Sequence, residues 1–196
     1  VSLAATLAIL AMVFFFVRRV TERTWAGALA AGLFAACYRA GGTWFDVGRL
    51  DMLSLALLLG GVLVLDTDRT KLRGPSMAAA LVVLAFLAKP TAIVMFAPVL
   101  VWCAIEDRAR GLRLAVLLGL GLAAAVIALD LMSGGGFSYY TFAVASQRPF
   151  DVRLAAQFPR DLARTMAPAL FVIALAATRS ETRRPLRPPA LFLPLA

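Results

Sequence analysis

Two carboxylates and a guanidinium fall within six residues, at Asp46, Arg49 and Asp51, in a polar break (41–51) between two long apolar runs. Charged groups beside lipid-facing segments are costly unless they pair or face a wet cavity, so this set marks a candidate site. The two acids also suit the positive N-terminal end of the helix that follows, a purely structural reading of equal weight. Arg49 and Asp51 point about 200° apart on a regular helix and do not pair directly, whereas Asp46 and Arg49, at i and i+3, can. Asp51 is then left to cap the next helix or to join the site.

Lys89 is the second candidate. It stands alone between two apolar runs of about fifteen residues, each about 22 Å long at the helical rise, so its turn lies below the full depth of a bilayer. A lysine there either snorkels to the interface or faces a cavity. Pro90 fits the first position of the following helix, and Thr91 can donate to a ligand or bond back to a carbonyl. Guanidinium offers a planar fork and ammonium a point charge, and both suit a phosphate. The third candidate stretch is 133–142, where three glycines precede Phe137, Tyr139, Tyr140 and Phe142. Glycines permit close backbone approach, and clustered aromatics favour the membrane interface. Further on, 150–158 mixes apolar and charged residues as an interfacial helix does; it reads either as an anchor or as a lid over the lipid-facing opening of a site.

The elements that position these residues follow from composition. Hydrophobic residues make up 62% of the chain and mean hydropathy is +0.86, far above a soluble domain. The basic residues lie in short clusters between apolar runs, which argues for membrane orientation and against nucleic-acid binding despite an isoelectric point near 11.0. The absence of histidine removes Ser-His triads and His-based zinc sites. Cys37 and Cys103 lie in separate apolar runs without Cys-x-x-Cys spacing and read as buried structural thiols. No cluster has convincing metal-ligand spacing, although two carboxylates near a wet face can bind a hard divalent cation. The chain opens and closes inside apolar runs without an initiator Met, and reads as an internal piece of a longer protein.

The expected fold is all-α: a polytopic transmembrane helix bundle of seven spans plus a truncated eighth, in one partial domain over 1–196. The segments are 1–17, 25–38, 50–65, 75–88, 90–105, 112–131 and 165–177, with the eighth from 190. Ala28, Gly32 and Ala36, at four-residue spacing, predict a close helix contact. The G-x-G-x-x-A match at Gly119, Gly121 and Ala124 lacks the preceding strand that a dinucleotide site requires. An extracytoplasmic loop or interfacial helix spans 133–164, and a cytoplasmic Pro/Arg-rich linker spans 178–189. Thirteen of the twenty Lys and Arg residues fall in the loops around 18–23, 69–73, 108–113 and 179–187, which the positive-inside rule makes cytoplasmic. The 44–51 turn, Lys89, Asp130 and the 133–164 stretch then share the extracytoplasmic face.

Three patches in order, 38–51 with its Arg49-Leu50-Asp51, 84–92 around Lys89, and 133–142, resemble the GT-C membrane glycosyltransferases, nearest to the bacterial protein-mannosyltransferase-like and lipopolysaccharide-modifying branch. The resemblance implies an integral, multi-pass protein of the bacterial inner membrane. It also implies sugar transfer from a polyprenyl-phosphate donor to a lipid, glycan or protein acceptor. Arg49 and Asp51 match the family's Arg-x-Asp, and Lys89 matches the lysine of its Thr-Lys-Gln-like turn, with Ala88 and Pro90 in place of the flanking Thr and Gln. The family's catalytic aspartate would fall before Val1, so this stretch alone is expected to be inactive. The substrate-binding set is then Arg49 and Lys89 for phosphate, Asp46 and Asp51 in support, and Tyr139 and Tyr140 beside them. The readings from other classes are a secondary transporter and a non-catalytic membrane protein. Against the transporter, these charges gather on one face rather than at the midplane.

Overall fold

The computed structural model describes residues 2–36, 50–68 and 73–147, with the isolated residues 157 and 160. They form helices α1 (Ser2–Thr21), α2 (Thr24–Ala36), α3 (Asp51–Thr67), α4 (Arg73–Ala88), α5 (Ala92–Glu106) and α6 (Arg108–Ser133). A continuation follows, built of α7 (Gly136–Ser138), a π-helical turn (Tyr139–Ala143) and α8 (Val144–Ser146). The expected all-α class holds among the described residues, where there is no strand.

The expected span count does not hold. Among the described residues only α1 (20 residues) and α6 (26 residues) are long and apolar enough to cross a membrane. At 1.5 Å per residue they measure about 30 and 39 Å, whereas helices of 13 to 17 residues reach only about 20 to 26 Å against about 30 Å of hydrocarbon. Among the described residues the apolar runs are helical, but their polar punctuation stops most of them short. The segments expected at 165–177 and from 190, and the linker 178–189, lie outside the described residues.

Local chemistry explains where the helices break. Asp107 caps α6, its carboxylate accepting from the amides of Ala109 at 3.0 Å and Arg110 at 3.1 Å. The other end of α6 closes on Gly134 and Gly135, with φ of 61° and 86°. Nothing packs where their Cβ atoms would stand, so these glycines supply a left-handed turn rather than the expected close approach. Between α4 and α5, Pro90 lacks an amide hydrogen and biases Lys89 away from helical conformation. The new helix starts at Ala92, so Pro90 stands two residues ahead of its expected first position, and the Thr91 side chain caps nothing.

Successive helices alternate in direction. Ala5 and Ile9 pack on Met52 while Arg19 reaches Asp66, so α1 runs parallel to α3. Gly61 lies against Ala78 and Val82, and the Ser54 hydroxyl donates to the Ala85 carbonyl at 3.1 Å, so α3 and α4 are antiparallel. The main core joins Leu58, Val62 and Leu65 with Val82, Ala85, Phe96, Cys103, Leu114 and Leu118 from α4, α5 and α6. Cys103 is buried there, as a structural thiol should be. The closest helix contacts are at Gly111, where an added Cβ would lie 2.4 Å from the Ala104 Cα, and at Gly27, where it would lie 2.6 Å from the Phe14 carbonyl. Among the described residues Gly32 has no such neighbour and Ala28, Gly32 and Ala36 are exposed, and α2 meets α1 at Gly27 instead.

Candidate functional site

The alternation gives the described helices two chemically distinct ends. One carries Arg18 and Arg19 in the last turn of α1, Arg23 just after it, Arg73 at the start of α4, and Arg108, Arg110 and Arg113 in the first turns of α6. It is internally tied. Arg19 pairs with the buried Asp66 at 3.1 Å and donates to the Thr67 hydroxyl at 3.2 Å. Arg73 stands 3.8 Å from Asp68. Arg110 donates to the carbonyls of Leu65 and Asp68, satisfying groups that the end of α3 leaves open.

The opposite end gathers the candidate site. Asp51 opens α3 and Lys89 follows α4, and because these helices are antiparallel the two side chains meet in an ion pair. Leu50 occupies the N-cap position, so Asp51 is an acid of the first turn that serves as the partner of Lys89. Its side chain is 14% exposed and that of Lys89 is 37% exposed, so the carboxylate holds an ammonium at the rim of the helix layer. Lys89 is held by a carboxylate 38 residues earlier in the chain, a partner that neither of the two expected arrangements includes. Ser54 bonded to Ala85 fixes α3 against α4 one turn below the pair.

The stretch from 133, expected as a loop or interfacial helix, is helical through 136–146 and stays at this same end. Asp130, on the last turn of α6, accepts from the Ser138 amide at 2.8 Å and from the Ser138 hydroxyl. Its carboxylate folds the chain back and is a positioning group. Phe137 then packs edge-on against Phe86, ring centroids 6.5 Å apart, and Phe86 lies three residues before Lys89. Tyr139 and Tyr140 contact each other edge-to-face at 5.3 Å and stay exposed, Tyr140 at 73%. Asp130 was assigned to this face by topology; the Ser54 and Ser138 contributions were missed because both depend on partners far away or across a turn.

Asp46 and Arg49, like most of 148–164, lie outside the described residues. Among those described, no group of three or more Asp, Glu, Cys or His side chains is placed to hold a metal ion. A hard divalent cation held by two carboxylates of this face would have to share Asp51 with Lys89.

What this end can do chemically is limited and specific. An ammonium has three donors, and the Asp51 contact uses one. Lys89 is thereby oriented and part-exposed, and the exposed Tyr139 and Tyr140 lie at the same end of the helix layer, an arrangement suited to an anionic group carried on an apolar molecule. Comparison with family models, with curated proteins and with solved structures gives no match to this chain.

Proposed function

We propose that this chain belongs to a membrane glycosyltransferase that uses a polyprenyl-phosphate-linked sugar, with Lys89 meeting the lipid phosphate. The observation that carries the reading is the Asp51–Lys89 pair, which holds a part-exposed cation at one end of an apolar helix layer. Electrostatic stabilisation of a departing phosphate needs a cation already in position. Asp51 has the supporting role of holding it, and Tyr139 and Tyr140 border the same end. The acceptor is a lipid, glycan or protein on that face. The GT-C resemblance supplies the reaction class and the bacterial inner membrane as its location.

Membrane insertion is the second part of the proposal. The most apolar windows of α1 and α6 are only 17% and 11% buried by the described chain, unlike the core helices of a soluble domain. Lipid is the solvent that suits these surfaces, with α1 and α6 crossing it.

The test uses the protein in nanodiscs, titrated with a short-chain polyprenyl monophosphate and with the matching polyprenol. The phosphate should bind and the alcohol should not. A charge-assisted hydrogen bond contributes about 1.5–3 kcal/mol, so Lys89→Ala should weaken binding roughly tenfold or more, and Lys89→Arg should retain most of it. Equal binding of phosphate and alcohol, or no effect of Lys89→Ala, would remove Lys89 from the site. Membranes bearing a form of the protein that also carries the family's N-terminal loop, supplied with a labelled polyprenyl-phosphate sugar, should yield labelled acceptor. Solute uptake without sugar transfer would favour the transporter instead.

A further inference from the structure

At the arginine-rich end, two open cavities adjoin along α1. One, of about 510 Å³, is lined by Phe15, Arg18, Arg19 and Glu22. The other, of about 280 Å³, lies in the crease between α1 and α3, lined by Met12, Phe16, Leu63 and Thr67 together with Ala11, Phe15 and Arg19. Phe15 and Arg19 belong to both, so a charged rim leads directly into an apolar crease.

We infer that this groove binds one anionic phospholipid, its phosphate on Arg18 and Arg19 and an acyl chain along Met12, Phe16 and Leu63. The inference rests on the membrane part of the proposed function and concerns the end opposite Lys89. Arg19 is already oriented by Asp66 and Thr67, yet its side chain is 56% exposed, which leaves further guanidinium donors facing outward. Arg18 has no hydrogen bond or ion pair among the described residues and supplies a second positive charge on the same rim. Glu22 is the opposing charge there, and its carboxylate suits a headgroup that carries hydroxyl donors. Around the rim, Arg23 lies 5.8 Å from the centre of the exposed Trp25 ring, a pairing suited to the membrane interface. A free inorganic phosphate would use the rim alone; the crease is what selects a ligand with a hydrocarbon chain.

The experiment places the protein in nanodiscs of equimolar phosphatidylglycerol and phosphatidylcholine, releases it into the gas phase and identifies the retained lipid by native mass spectrometry. Retained phosphatidylglycerol should exceed the bulk ratio about threefold or more. Arg18→Gln, which cuts the rim charge, and Leu63→Trp, which fills the crease, should each return the ratio towards bulk. Arg108→Gln, at the same end but outside the groove, should leave it unchanged. A bulk ratio for the unmodified protein, or an Arg108→Gln effect as large as that of Arg18→Gln, overturns the groove and leaves the membrane reading standing. Failure of the chain to enter nanodiscs at all overturns both.

Discussion

Asp51 and Lys89 are 38 residues apart in sequence and in contact in space, which makes their pair a direct report on how α3 and α4 pack. An isolated surface pair contributes about 0–1 kcal/mol, and this one, with Asp51 mostly covered, belongs at the upper end of that range. Lys89→Met and Asp51→Asn should each lower the thermal stability of the detergent-solubilised protein, while the double variant costs less than the sum by about 1 kcal/mol. Strict additivity would mean that the two charges do not sense each other. Each residue type and its cost in an apolar setting could be read from the sequence alone. The pairing could not, since a lysine between two apolar runs looks the same whether it snorkels, lines a cavity or meets a distant acid. Asp130 shows the same limit in reverse. The alternation of basic loops places it on the candidate face, but its acceptor role towards Ser138 depends on the turn that Gly134 and Gly135 make.

At the scale of elements, breaks were more legible than contacts. Pro90, Asp107 and Gly134 each end or start a helix for a reason intrinsic to that residue, so the boundaries of α5 and α6 fall close to where the apolar runs stop. Which small residues let helices approach is a property of two helices at once. The four-residue spacing of Ala28, Gly32 and Ala36 marks no close approach among the described residues, where α2 meets α1 at Gly27 and α6 meets α5 at Gly111 against Ala104. The two kinds of glycine should respond oppositely to a methyl group. Gly111→Ala drives a Cβ into backbone at 2.4 Å and should destabilise by about 1–3 kcal/mol, lowering the melting temperature measured in detergent. Gly119, in the same helix, has nothing within 4 Å of an added Cβ, so Gly119→Ala should leave that temperature unchanged or raise it slightly. Equal losses at the two positions would show that α5 and α6 do not meet at Gly111.

Across the whole molecule, length is the property that separates a helix from a span. Apolar character alone gave too many spans, because 15 residues between charged turns are enough to make a helix and too few to cross the hydrocarbon. The charge alternation survives that correction. Among the described residues Arg18, Arg19, Arg23, Arg73, Arg108, Arg110 and Arg113 lie at one end, and Lys89 lies at the other with Asp51, Asp130 and the exposed tyrosines. If α1 and α6 cross the bilayer, the two ends face different compartments, and the arginine-rich one is cytoplasmic by the positive-inside rule. Single cysteines at Glu22 and Tyr140, placed in a Cys37→Ala, Cys103→Ala background, test this with a membrane-impermeant maleimide. In spheroplasts Tyr140→Cys should label at once, and Glu22→Cys only after permeabilisation. Labelling of both from the same side would mean that α1 and α6 do not cross. The donor end and the phospholipid groove would then share one aqueous face, and the separation of a sugar-donor phosphate from a structural lipid, on which both proposals depend, would be lost.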